Sequence, residues 1–591
     1  MHVRSIDVAG LHLIAWSNIV CAEIWKSAID VGAGSTRAAR RSLFFNHLSD
    51  LSVNFARRRG CSHRARSEGH PMKPSESPGT PAPLTGARFM LGTLAVALAT
   101  FMNVLDSSIA NVAIPTISGN LGVSIDEGTW VITLFSAANA VSIPLTGWLT
   151  QRVGQVRLFV CAILLFVLSS AACGLAPNLT VLLAARIVQG AVAGPLVPLS
   201  QALLLASFPK EKSSSALSLW GMTATVGPIA GPALGGWITD NYSWSWIFYI
   251  NVPVGLFAAA VIWALYRNRE TPARKLPIDK VGLIALVVWV AALQVMLDKG
   301  KDLDWFNSST IWILTIVAAV GFVFFLIWEL TEARPIVDLR LFAQRNFLGG
   351  TVAISIAFAV FFANLVILPQ WIQGSLGYPV VNAGLVTAPL GIFAVILAPV
   401  VGKVMPKSDM RVLVTLAFLG FAGVFFMRSR FTTGVDTWTL VVPTLLQGIP
   451  TAFFMTPLTS IILSGLPPER IPAAAGLSNF ARVFMGAVGT SLASTAWNDR
   501  TILHHAQLAE QGSVNNPVFA SAVAGVQGAL DAGAPKALTF LEATLNAQAT
   551  MLGLNDVFWL SSVIFVLIIP LVWVTKPGKG VSAGAAAAGG H

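Results

Sequence analysis

A single acid, Asp106, stands in the apolar run L-D-S-S-I-A-N-V-A-I-P, residues 105–115. A charge at bilayer depth costs about 2.5–3.5 kcal/mol on insertion scales, so its presence points to function. A carboxyl whose surroundings alternate can take up a proton on one side of a membrane and release it on the other. The alternative is a capping or hydrogen-bonding group near the outer interface, because the apolar run ends about two turns further on. A second charge, Arg186, lies in A-R-I-V-Q-G-A-V-A-G-P-L-V-P-L, residues 185–199. A guanidinium stays protonated and needs a carboxylate, carbonyls or water. Either it snorkels outward from the start of its span, or it lies near a cavity and modulates Asp106. The second is the expectation.

A third constellation carries no charge. Trp220 to Trp237 reads W-G-M-T-A-T-V-G-P-I-A-G-P-A-L-G-G-W. Gly227, Gly231 and Gly235 recur every four residues and share one helix face. Pro228 and Pro232 repeat at the same interval, each removing a backbone donor and bending the helix. Gly236 closes the run. Such a face suits close backbone approach to a neighbouring helix, and its bend would shape a transport cavity. Upstream, G-W-L-T-Q-R-V-G-Q-V-R-L at 147–158 reads as a gating loop. Gly147 and Gly154 allow a tight turn, and Arg152 and Arg157 face the cytoplasm, where they also serve as positive anchors. Asn139, Gln201, Asn364 and Gln447 are candidates to line a substrate cavity; the alternative is that they bond neighbouring helices. Phe361, Phe362, Phe453, Phe454 and Met455 supply apolar material for its wall. His504-His505 has no further ligands at metal spacing, so no metal site is expected.

These groups need elements that cross a membrane. The 591 residues are 55% hydrophobic and 11% charged, with a mean hydropathy of +0.71. Soluble proteins carry about 25% charged residues. This is therefore an all-α polytopic membrane protein. The formal charge of +11 does not indicate nucleic acid: residues 1–85 alone hold eleven Lys/Arg against six acids, and the remaining excess sits in loops on one side. From Phe89 the chain forms fourteen apolar runs of about spanning length, the first at 89–112, the second at 128–149, the fourth at 179–206 and the last at 555–575. Arg152, Arg157, Lys212, Arg267, Arg269, Lys403, Lys407, Arg411 and Arg470 crowd the loops of one side, which the positive-inside rule makes cytoplasmic, with both termini.

The chain also repeats itself. Ile143-Pro144-Leu145-Thr146-Gly147 resembles Ala398-Pro399-Val400-Val401-Gly402, and Gln189-Gly190 pairs with Gln447-Gly448. Two related six-helix halves follow, residues 88–266 and 346–575, with two inserted helices in the linker 267–345. Repeated halves with a site between them are the architecture of alternating access. A loop at 497–554 lies outside the membrane and reads as a docking surface. Residues 1–87 and 576–591 read as disordered tails. No G-x-x-x-x-G-K-[ST] occurs, so ATP on this chain does not drive transport and no enzyme constellation stands out.

The residues 105–115, 186–201 and 227–236, with W-I-F-Y-I-N-V-P at 246–253 and L-S-G-L-P-P-E-R at 463–470, resemble the fourteen-span drug:proton antiporters of the major facilitator superfamily, the EmrB/QacA branch. The resemblance implies no cofactor beyond the proton gradient, and efflux of hydrophobic drugs across the bacterial inner membrane. It implies partners: an EmrA-type periplasmic adaptor and a TolC-type outer-membrane channel. Asp106 and Arg186 match the family's proton-coupling acid and arginine, and 227–236 its antiporter motif. Two positions depart. Gln151 stands where the loop motif usually has an acid, and Ser245 where arginine is frequent. An uptake symporter of the same fold and a non-transporting membrane scaffold remain as alternatives.

Residues 1–71 have no counterpart in that resemblance, and Met72 opens a more ordinary short tail. Mass spectrometry of the mature N-terminus is expected to find Met72; a peptide spanning Arg66 to Lys73 would refute this.

Overall fold

The computed structural model describes residues 86–209, 212–274, 277–333, 335–510, 516–530 and 533–577. The Arg-rich tail, the Met72 start and the chain beyond 577 lie outside them. The described residues fold into α-helices and short 3-10 turns, with no strand among them. Twelve helices are long and apolar enough to cross a membrane, and a bent pair makes a thirteenth. The glycine- and proline-rich α7 (Ser213–Asn241) is not in that set, but its 29 residues suffice to cross. The fourteen expected spans are compatible with this.

Span 1 is α1, Gly86–Leu121, longer than its apolar run because the helix continues through Pro115. Asp106 therefore lies near the middle of the helix rather than close to its end. Span 2 is α2 (Ile125–Ser142) and α3 (Thr146–Val153), bent by 61° at the break. Pro144 cannot donate to the helix ladder, and the turn is carried by shorter-range bonds from Leu145 to Ser142 and Thr146 to Ile143. Span 3 is α4 (Gln155–Gly174). Span 4, expected over 179–206, is Leu179–Ser207. It breaks at Gly194-Pro195 into α5 (Leu179–Ala193) and α6 (Leu196–Ser207). The two breaks touch: Gly194 packs on Ser142 and Ile143. Span 6 is α8 (Trp246–Tyr249) and α9 (Asn251–Tyr266).

The inserted helices are α10 (Lys280–Lys299) and α11 (Ser309–Thr331). They pack on each other through Gly321 against Trp289, and α10 joins the body through Lys299 Nζ to Thr129 Oγ1 at 2.9 Å. The second half follows as α12 (Arg345–Gly374), α13 (Val380–Thr387), α14 (Leu390–Val404), α15 (Met410–Arg428), α16 (Thr437–Leu463) and α17 (Ile471–Ala509). After α18 (Pro517–Leu530), the chain returns through α19 (Ala534–Leu567) and α20 (Ile569–Val574). Much of the expected loop 497–554 is thus helix, continuous with the spans on either side. Trp497 Nε1 donates to the Thr550 carbonyl, and His504 and His505 turn to separate acids, Asp556 and Glu542.

The repeat is visible in the packing. Gly190 presses on the carbonyl of Phe135, and Gly448 presses on that of Leu390. Between the halves, Gly147 meets Ala473 and Gly402 meets Ser215, the same contact with the halves exchanged. Both lie at the end that carries the basic loops. Ser214 Oγ adds a bond to the Gly402 carbonyl at 2.9 Å, and the Ile143 carbonyl sits against Gly476.

The glycine face of α7 lies on α1. A Cβ at Gly227 would come within 2.7 Å of Val104, one at Gly231 within 2.6 Å of Ser108, and one at Gly235 within 2.9 Å of the Ile109 carbonyl. Pro232 leaves the Pro228 carbonyl without its helical donor, and Ser108 Oγ supplies one at 3.1 Å. Gly236 is different: its nearest neighbour, Val112, is 3.8 Å away. Gly235→Val is therefore expected to destabilise the protein by about 1–3 kcal/mol, seen as a lowered Tm in detergent, while Gly236→Ala leaves Tm unchanged.

Candidate functional site

Asp106 and Arg186 meet. Arg186 Nη1 donates to Asp106 Oδ2 at 2.7 Å, and neither side chain has solvent exposure. That excludes snorkelling for Arg186. It also places Asp106 in a dense polar cluster rather than at an interface. Its other oxygen, Oδ1, accepts from Asn251 Nδ2 at 2.8 Å and Gln189 Nε2 at 3.0 Å. Gln189 Oε1 accepts from Arg186 Nη1 at 2.7 Å and from the Cys173 thiol at 3.5 Å. Ser170 accepts from both amides and donates to the Phe248 carbonyl at 2.9 Å. Arg186 Nε donates to the Val131 carbonyl at 3.1 Å, and its guanidinium lies 4.0 Å from the Phe135 ring centre.

The cluster draws on α1, α2, α4, α5 and α9, and every partner belongs to the first half. Burying two ions costs several kcal/mol each unless geometry and added hydrogen bonds compensate. Here a carboxylate with three donors and a guanidinium with a carboxylate, an amide and a carbonyl supply that. Gln189 stands out in the sequence through its repeat with Gln447, and Asn251 only as a polar residue within an apolar run. Ser170 and Cys173 give no such signal, since small polar side chains are common in spans.

The repeat-related positions of the second half carry no acid. Gln447 takes the position of Gln189, its side-chain oxygen unpartnered by the described residues. Asn364, on α12 as Asp106 is on α1, donates to Ser561 Oγ at 3.0 Å. The buried arginine there, Arg428, comes from α15 and donates to Thr444 Oγ1 at 2.9 Å. Asn364 and Gln447 therefore sit inside the second bundle. Asn139 is half-buried next to the bend of span 2, its carbonyl accepting from Ile143 and Ser142. Of the four cavity candidates, Gln201 alone reaches across the halves, accepting from Asn479 Nδ2 at 3.3 Å. Phe361, Phe362 and Phe454 pack with Phe358 and Phe421 as an aromatic cluster of the second half.

At the 147–158 loop, which has Gln151 rather than an acid, a carboxylate comes from elsewhere in the chain. Glu270, just past span 6, accepts from the backbone N–H groups of Val156 at 3.0 Å and Arg157 at 2.9 Å. Thr271 Oγ1 accepts from Gln155 N at 2.9 Å. The first three donors of α4 are thus satisfied, with a negative charge at the positive end of the helix. Gly154 has φ +98°, and any side chain there would strike the Glu270 carboxylate. The Arg157 guanidinium is mostly exposed and 3.9 Å away, so it adds little. Arg152 lies over the Trp148 ring, whose Nε1 donates to the Pro277 carbonyl at 3.2 Å. In the matching turn of the second half the acid is local: Asp409 pairs with Arg411 at 2.8 Å, which holds its carboxyl below the usual range.

A different cavity, about 620 Å³ and apolar, lies between α10, α11 and α17, with Trp289, Phe322, Phe325, Phe480 and Phe484 in its walls. None of the Asp106 cluster lines it.

A helical bundle of two repeated halves with a buried ion pair and a glycine-faced helix against it defines a membrane transporter rather than an enzyme. The Major Facilitator Superfamily profile matches residues 96–490, and the chain belongs to that superfamily. It is 48% identical over 503 residues to the multidrug export protein EmrB of Escherichia coli (strain K12), covering 85% of this chain and 98% of that one. It is 47% identical over 497 residues to the fatty acid resistance protein FarB of Neisseria gonorrhoeae, covering 84% and 97%. Among solved structures, the human organic anion transporter MFSD10 superposes with a TM-score of 0.53 at 14% identity, covering 83% of this chain and 100% of that one. The proton:xylose symporter XylE gives 0.52 at 14%, covering 84% and 97%. At that identity these two show the fold.

Glu270→Gln keeps the size and removes the charge from two backbone bonds. It is expected to cost about 2 kcal/mol, read as a lowered Tm, and to reduce transport; Arg157→Gln should change neither by a comparable amount.

Proposed function

We propose that the protein exports hydrophobic toxic compounds from the bacterial cell in exchange for protons, with Asp106 as the proton carrier. The observation that carries this is the solvent-free Asp106–Arg186 pair. A proton on Asp106 cancels its charge. Arg186 is then left with Gln189 Oε1 and the Val131 carbonyl, and the balance that holds α1 to α5 is lost. A shift of α1 passes to α7 because Gly227, Gly231 and Gly235 pack closely on Val104, Ser108 and Ile109. From α7 it reaches the other half through Ser214 and Gly402 and through Thr456 Oγ1 on the Leu217 carbonyl at 3.4 Å. Proton binding and the opening of the halves are thereby two ends of one mechanical path. Relatives named for multidrug export and fatty acid resistance support the export direction.

The crowding of basic residues in the loops of one side supports a reading in the inner membrane with both termini in the cytoplasm and the α17–α19 extension in the periplasm. That extension is where an EmrA-type adaptor would dock, handing substrate to a TolC-type channel.

Inside-out vesicles with an acidified lumen test the exchange. Adding a hydrophobic drug is expected to release lumenal protons with wild type and not with Asp106→Asn, insertion of both being checked by detergent-extracted monodisperse protein. Release from both would move the carrier elsewhere, the buried Glu329 and then Asp298 being the next acids to test. Absence of release from either would defeat the antiport reading.

A further inference from the structure

Three arginines among the described residues are buried in the helical core: Arg186, Arg428 and Arg482. Arg186 has Asp106. Arg428 is closed within the second bundle by Thr444, Phe425 and Phe558. Arg482, on α17, faces the other half and has no carboxylate within ion-pair distance among the described residues.

Its surroundings are rich in donors and poor in acceptors. Arg482 Nη2 donates to Asn479 Oδ1 at 2.6 Å, and its guanidinium lies over Phe358 at 4.5 Å and Trp220 at 5.6 Å. Arg482 Nη1 has only the Met455 thioether at 4.0 Å, and Gln201 Oε1 accepts from Asn479 Nδ2. Arg482 Nε and Trp220 Nε1 are buried with no acceptor from the described residues. Buried donors are rarely left so. Both side chains line one small cleft at the seam between the halves, Trp220 and Gln201 from the first, Arg482, Asn479 and Thr459 from the second. Its volume of about 10 Å³ admits one water at most. A ligand enters only when the halves part.

We propose that Arg482 and Trp220 are an anion clamp: as the halves close, they grip the carboxylate or sulfonate of an amphipathic substrate, while Ile354, Ile462 and Leu463 in the same cleft take its aromatic or apolar body. The anion supplies the acceptors that the two halves lack, so it binds the closing state better than the open one, which is what a ligand must do to shift that equilibrium. A cationic substrate of the same shape would meet the uncompensated guanidinium and be rejected. This specificity rests on the export reading above, but its chemistry is separate from that of Asp106.

The test uses the full chain in detergent and two aromatic probes of opposite fixed charge, 1-naphthalenesulfonate and 1-naphthyltrimethylammonium, titrated calorimetrically. Wild type is expected to bind the sulfonate at least tenfold more tightly. Arg482→Gln should lose that preference, while Arg482→Lys keeps the sign of the preference at lower affinity. Trp220→Phe should weaken sulfonate binding several-fold and leave the cation unaffected. If Arg482→Gln does not fold, as judged by Tm, the Lys and Phe variants decide. Equal binding of the two probes by wild type, or an unchanged preference in folded Arg482→Gln, would overturn the clamp. Drug-dependent proton release that persists with no charge preference would remove the clamp and spare the antiport reading. A charge preference set by Arg482 without proton release would do the reverse.

Discussion

A guanidinium and a carboxylate 2.7 Å apart, both out of reach of solvent, set the terms for the first half of this molecule. Neither ion survives at that depth without the other. Both ions draw further hydrogen bonds from their surroundings, which explains why four helices contribute Gln189, Asn251, Ser170, Cys173 and the Val131 carbonyl to a single spot. The second half keeps the frame of this arrangement and replaces the acid by Asn364, a group that cannot exchange a proton at ordinary pH. Among the described residues the fully buried ion pair is thus confined to the first half.

Small residues let that arrangement act at a distance. The α1–α7 seam puts backbone against side chain at Gly227, Gly231 and Gly235, so neither helix can slide without the other. Stiff contacts of this kind favour discrete positions over gradual deformation. The seam between the halves, by contrast, is built from few direct hydrogen bonds and several close glycine contacts. It can part without leaving many buried groups unsatisfied.

Much of this was legible in the residues, for reasons that can be named. Charges inside apolar runs are costly, so Asp106 and Arg186 announced themselves, and the four-residue glycine period announced a packed face. Element ends were harder. Hydropathy stops span 1 at Asn111-Val112 and opens a loop at Trp497, yet a helix needs only backbone bonds to continue, and it runs through Pro115 and out past the apolar segment at both places. The partner of the gating loop was invisible because Glu270 lies more than a hundred residues from Val156. Polar residues within spans looked alike in sequence. Only the fold separates Gln201, which bridges the halves, from Asn364, which bonds within one.

The 39 residues of α17 have a further meaning. At 1.5 Å per residue the helix is about 58 Å long, against a hydrocarbon layer of about 30 Å. About half of it stands clear of the bilayer, fastened to α19 by Trp497 and the two histidines. It is a lever. Its lower part carries Gly476 and Arg482, where the halves meet, so a tilt of a few degrees there sweeps the far tip sideways by several ångströms. A partner seated on that tip would feel, through the helix itself, whether the two halves are closed.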